Sequence, residues 1–135
     1  MNWKRFWIGF LVVYVAYQVL GILTHEVWLG ETYGSLAEVW RPETELVAKR
    51  WIFFVTSAVF TFFFCYIFVQ GCERKGWAEG ARYGAIIGLF YAIPQAYESY
   101  ALLPIPYSLA LKWFLSGLVG SIILGVVFAA VYRPE

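Results

Sequence analysis

Four stretches of roughly twenty mostly apolar residues dominate this sequence: about Phe6–Thr24, Trp51–Val69, Tyr83–Tyr100 and Trp113–Tyr132. A hydrocarbon core about 30 Å thick needs a helix of roughly 20 residues to cross it. Inside that core every backbone N–H and C=O must be satisfied by a helix or by a closed barrel. A barrel needs alternating strands of about ten residues, and the apolar runs here do not alternate. Helices are the remaining solution.

Composition agrees. Of the 135 residues, 61% are hydrophobic, 21% aromatic and 14% charged, where a soluble domain averages about 45–50% apolar and about 25% charged. A soluble chain of this size has too little interior to hide that much apolar surface. The same figures exclude a disordered chain and a secreted disulfide scaffold, and the net charge of +1 excludes a nucleic-acid module. The reading is an all-α integral membrane protein, a single domain over residues 1–135, with four transmembrane helices in an antiparallel bundle. Tyr14, Tyr17 and Gln18 interrupt the first apolar run, so it reads as a retained span, not a cleaved signal.

Lys and Arg counts orient the spans. One side carries Lys4, Arg5, Arg74, Lys75, Arg82 and Arg133; the other carries Arg41, Lys49, Arg50 and Lys112, together with Glu26, Glu31, Glu38, Glu43, Glu45 and Glu98. Both termini are therefore expected in the cytoplasm, in a bacterial inner (plasma) membrane. Trp28, Trp40, Trp51 and Trp113 mark the outer interface, and Trp3, Trp7 and Trp77 the inner one. Cys65 and Cys72 lie toward the reducing face, out of phase, and predict no disulfide.

The long first outer loop has internal signals. Ser35 with Glu38 forms a capping-box pattern, predicting a short amphipathic helix over Leu36–Trp40. Pro42 suits the first turn of a further helix, in which Glu45 and Lys49 stand four apart and pair. YVAYQ at Tyr14–Gln18 echoes YAIPQ at Tyr91–Gln95, a faint sign of a repeated hairpin.

Small residues recur every four positions in the last two spans: Gly76, Gly80, Gly84, Gly88 and Ala92, then Gly117, Ser121, Gly125 and Ala129. Such rows let helices approach closely, which matters in lipid because apolar side chains gain little from leaving it. The rows predict a hairpin of spans three and four, or contact with another subunit. Span two has a weaker row, Ser57, Thr61 and Cys65. Its seven phenylalanines (Phe53, Phe54, Phe60, Phe62, Phe63, Phe64 and Phe68) suit lipid or a large apolar partner.

Polar residues at membrane depth normally face the interior. Tyr14, Tyr17, Gln18, Gly21, Thr24, His25 and Trp28 share a stripe on span one, readable as a hydrogen-bonded seam or as one wall of a cavity. Tyr91, Gln95, Glu98 and Lys112 would supply the rest of such a cavity. Glu98, after Pro94, is expected to be partnered by Lys112 across the proline turn. His25 is the single histidine. It leaves a haem or a zinc site without enough ligands, but it can titrate near neutral pH. No catalytic residue or metal site is visible, Asp is absent, and the residues name no cofactor.

These readings favour a non-catalytic small membrane subunit that packs in the bilayer against a larger complex or assembles with itself. The alternatives are an oligomeric transporter or channel using Gln18, Gln95 and Glu98, and a site for a quinone, pigment or isoprenoid.

Overall fold

The computed structural model describes residues 1–133; Pro134 and Glu135, the last of the 1–135 unit, lie outside them. The described chain is helical, without strands, and three of its helical stretches are long and apolar enough to cross a membrane: Trp3–Trp28, Arg50–Gly71 and Tyr107–Val131. Helix α1 covers Trp3–Ile22, its first turn capped by the Asn2 side chain, which accepts from the Arg5 N–H at 3.1 Å. It runs on without a break as a six-residue π-helical segment, Leu23–Trp28. Then come α2 (Gly30–Ser35), α3 (Glu43–Ala48), α4 (Arg50–Gly71), α5 (Trp77–Leu102) and α6 (Tyr107–Val131).

The long loop differs from the expectation at two points. Its helix covers Gly30–Ser35, and Leu36–Trp40 is turn instead. The capping box fails because the Ser35 hydroxyl turns back to the Thr32 carbonyl at 2.7 Å, while fully buried Leu29 anchors the chain one turn earlier. Farther on, Glu45 pairs with Arg41 at 3.1 Å rather than with Lys49. Lys49 leaves helical geometry (φ −101°, ψ 2°), which separates α3 from α4. The fourth helix therefore does not continue into the loop.

α5 and α6 form the tightest pair. A Cβ built on Gly80 or Gly84 would overlap the backbone carbonyl of Gly125 or Ser121 respectively, and one on Gly125 would overlap Gly80. A Cβ on Gly88 would lie 3.1 Å from Leu118 Cα, and one on Gly117 2.8 Å from Ala92 Cβ. Both rows are thus used within the chain. α1 packs on α6 through Gly9, where an added Cβ would come within 2.6 Å of the Phe128 ring. Phe128 in turn meets Phe6 at 6.4 Å and Phe68 at 5.4 Å between ring centroids.

α4 and α5 meet through aromatic rings: Phe64 and Phe68 flank Tyr83 at 4.9 and 5.3 Å, and Phe60 meets Tyr91 at 5.1 Å. The phenylalanines of α4 therefore do not form one lipid face. Phe64 and Phe68 are buried with Ser57, Thr61 and Cys65, while Phe53, Phe54 and Phe63 are exposed. Helical phase divides them, since residues three, four and seven apart share a face. Cys65 is fully buried and Cys72 partly exposed. In the folded protein a maleimide should label Cys72 and spare Cys65, a difference that intact-mass measurement of the Cys72→Ser variant checks directly.

The start of α1 adjoins Tyr132 and Arg133. The Asn2 N–H donates to the Tyr132 hydroxyl at 3.2 Å, and the Arg5 guanidinium donates to the Arg133 carbonyl. This basal end also holds the α4–α5 turn; the long loop and the α5–α6 turn form the distal end.

Candidate functional site

Helix α1 and the π-helical segment that continues it carry the stripe of polar side chains, and the structure resolves it into two separate clusters. In the interior, Gln18 Nε2 donates to Ser57 Oγ at 2.7 Å, and Ser57 donates to the Phe54 carbonyl at 3.0 Å. Tyr14 donates to that same carbonyl at 3.2 Å. Tyr17 and Tyr91 both meet the Phe60 ring, at 5.6 and 5.1 Å between centroids. The Tyr91 hydroxyl accepts from Ser121 and donates to the Gly117 carbonyl, each at 3.4 Å. Thr61 Oγ1 is buried without a hydrogen-bond partner. Apart from Thr61 and Tyr17, the polar groups named are bonded to one another or to backbone carbonyls, and the rings of Tyr17, Phe60 and Tyr91 pack among them, which describes a seam. Interhelical hydrogen bonds in lipid average roughly 0.6 kcal/mol, so Gln18→Leu should lower stability by about that much in a detergent unfolding titration.

Gln95 and Glu98 do not join this seam. Both are exposed, because the buried row Gly84, Gly88, Ala92 and Ala96 sets the phase of α5. Glu98 falls two residues beyond Ala96, roughly 200° around the helix, and so points away from α6. Lys112, its expected partner, instead holds its ammonium over the Trp28 ring, 5.7 Å from the centroid.

The second cluster caps the distal end. His25, carried by the π-helical segment, stacks on Tyr33 of α2 at 5.8 Å and 18°. His25 Nδ1 and the Tyr33 hydroxyl are 2.6 Å apart, and the Trp113 indole N–H donates to the same hydroxyl at 2.7 Å. Trp40 completes the cap, edge-on to Tyr33 at 5.7 Å. Beneath the rings lie buried Leu29, Ile105 and Leu109. Burial pushes the Tyr33 phenol above its ordinary pKa, partly offset by the Trp113 bond. Sequence reasoning missed Tyr33; the signal available was an aromatic residue eight positions after the single histidine, too common to read.

The basal turn is a third polar construction. Glu79, only 7% exposed, accepts from the backbone N–H groups of Glu73 at 2.5 Å and Lys75 at 2.9 Å, with Cys72 Sγ at 3.9 Å. The chain wraps the carboxylate through two left-handed residues, Arg74 (φ 65°) and Gly76 (φ 77°). Nearby, Lys75 pairs with Glu73 and holds that exposed carboxyl below its usual pKa range. A cavity of about 250 Å³ opens beside this turn, lined by Met1, Val69, Gln70, Cys72, Arg74 and Tyr132. No group of three His, Cys, Asp or Glu side chains among the described residues is placed to hold a metal ion.

No family model, no curated protein and no solved structure matches this chain.

Proposed function

We propose that this protein is a small non-catalytic membrane subunit, crossing the bilayer four times as an antiparallel bundle with both ends in the cytoplasm of a bacterial cell. The contact of Asn2 with Tyr132 supports an even number of crossings, because three would part the ends by the thickness of the membrane. Helix α5 is then the fourth crossing: at 26 residues it is long enough, and it lies against α6 from Gly80 to Ala92. Arg5, Arg74, Lys75, Arg82 and Arg133 cluster toward the basal end, the arrangement that favours the cytoplasmic face.

The observation that carries the subunit reading is the contrast between interior and surface. Inside, tyrosine, glutamine and serine groups are bonded to one another. Outside, α4 and α5 present large rings and aliphatic chains, Phe90 being 78% and Leu102 83% exposed. A protein built this way binds through its apolar faces, to lipid and to other helices. Gln95 and Glu98, on which the transporter and ligand-site readings lean, lie on that outer surface and lend those readings no interior pathway.

Native mass spectrometry from lipid nanodiscs tests the proposal. A defined assembly, either a homo-oligomer or a stoichiometric complex after mild extraction, is the expected result. A monomer with no partner at any protein-to-lipid ratio would contradict it.

A further inference from the structure

Chemistry fixes the direction of one of the two hydrogen bonds in the distal cap, and the imidazole tautomer sets the other. An indole nitrogen has only a proton to give, so Trp113 Nε1–H donates to the Tyr33 oxygen at 2.7 Å. The Tyr33 hydroxyl lies 2.6 Å from His25 Nδ1 and is able either to give its proton to that nitrogen or to accept one from it. When the phenol gives its proton to that nitrogen, the imidazole is neutral and carries its hydrogen on Nε2. The chain Trp113 to Tyr33 to His25 ties α6, α2 and the π-helical segment together.

We propose that this chain is a proton-sensitive latch, which holds the long loop down on the distal end while His25 is neutral and releases it when the ring is protonated. A proton on Nδ1 turns the acceptor into a donor. Tyr33 would then face two donors, and its own proton would have no acceptor among them. His25 is exposed and Tyr33 half-buried, so solvent protons reach the pair. The Trp40 indole N–H is already buried without a partner, and the remaining contacts are ring on ring and Leu29 on Leu109.

The setting suits a movable part. π-Helical turns are rare and recur at functional sites, and this one spans Leu23–Trp28 with the Leu29 N–H bonded to the Thr24 carbonyl at 2.9 Å. The titratable and charged groups on the elements around His25 are Glu26 on its own segment, Glu31 and Tyr33 on α2, Glu38 and Arg41 beside Trp40, and Tyr107 and Lys112 at the start of α6. Glu26 and Glu31 are exposed to solvent. The Lys112 ammonium, held over Trp28, opposes a second positive charge at this end.

Because His25 is the single histidine, nitrogen-15 labelling of histidine reads the latch in the unmodified protein. The expected spectrum at pH 7.5 shows a bare Nδ1 and a protonated Nε2. Hydrogen exchange of the Leu36 and Val39 amides, which bond to Tyr33 and Leu36 carbonyls, should lose about tenfold protection by pH 5 after correction for intrinsic rates. That fold-change is what loss of one hydrogen bond of typical strength gives. Its midpoint should coincide with the His25 titration. Tyr33→Phe should be unprotected at both pH values. His25→Gln, which keeps an acceptor but cannot titrate, should stay protected at both. A proton on Nδ1 at pH 7.5, or protection in the unmodified protein that is unchanged across the imidazole titration, would overturn the latch. So would an unaltered midpoint in His25→Gln. The spectra and exchange of the unmodified protein decide the matter even where a variant does not fold.

Discussion

Replacing Gly84 by leucine should unfold the α5–α6 pair, the largest single effect expected anywhere in the molecule. Even one carbon at this position overlaps the Ser121 carbonyl and comes within 2.7 Å of Ile122 Cα. The obstacle is backbone, which cannot swing aside as a flexible side chain would. The helices must separate, and the interface that opens runs from Gly80 to Ala92. Overpacking in a closely fitted interior costs about 1–3 kcal/mol where neighbours adjust, and here they do not, so a loss of about 3 kcal/mol or more is expected. Gly120, on the same helix as Ser121, has nothing within 4 Å of an added Cβ. Gly120→Ala should therefore be neutral or stabilising by up to about 1 kcal/mol. Thermal unfolding in detergent, followed by the exposure of buried Cys65 to a thiol dye in a Cys72→Ser background, measures both. Similar melting of the two variants would show that the close approach is not what holds the pair.

Removing the Glu79 carboxylate should be the next most damaging change, at about 2–3 kcal/mol. Two backbone donors, on Glu73 and Lys75, end at this one side chain. Truncation to alanine leaves both unsatisfied in a partly buried turn, and each such donor costs about 1–3 kcal/mol when water does not reach it. Hydrogen bonds to a charged acceptor are the stronger kind. Glu79→Gln keeps one acceptor oxygen and loses the charge, so roughly half the effect should remain. Local exchange of the Glu73 and Lys75 amides separates this from global unfolding. If those amides exchange as slowly in Glu79→Ala as in the parent, the carboxylate is not what orders the turn.

These two sites differ in how far the sequence discloses them. A four-residue repeat of glycine and alanine is periodic, and periodicity survives in one dimension; the opposing repeat in α6 can be read the same way. Glu79 shows no such pattern. It reads as one charge in a short charged link, because its partners are backbone N–H groups of a turn whose shape depends on Arg74 and Gly76 adopting left-handed angles. The distal cap is hidden for a related reason. Its members His25, Tyr33, Trp40 and Trp113 come from separate segments, and only the folded loop brings them together. Glu98 misleads because its depth suggests a partner, whereas the phase of the α5 row turns it outward. The helices of the loop shift because Leu29, a single buried anchor, outweighs the Ser35–Glu38 capping pattern. Interior polar groups on span one are legible from helical spacing, and Gln18 with Ser57 shows what such a stripe becomes when a second helix offers a hydroxyl.

A four-crossing subunit requires a chain that returns to its starting face, with α5 as a true crossing. Single cysteines placed in a cysteine-free background at Asn2, Arg74, Gly34 and Pro104, then challenged in intact cells with a thiol reagent that does not cross membranes, test this most directly. The expected outcome is labelling at positions 34 and 104 alone, with 2 and 74 reacting only after the membrane is opened. Labelling of 74 and 104 from the same side would mean that α5 does not cross, and the four-crossing bundle would have to be abandoned.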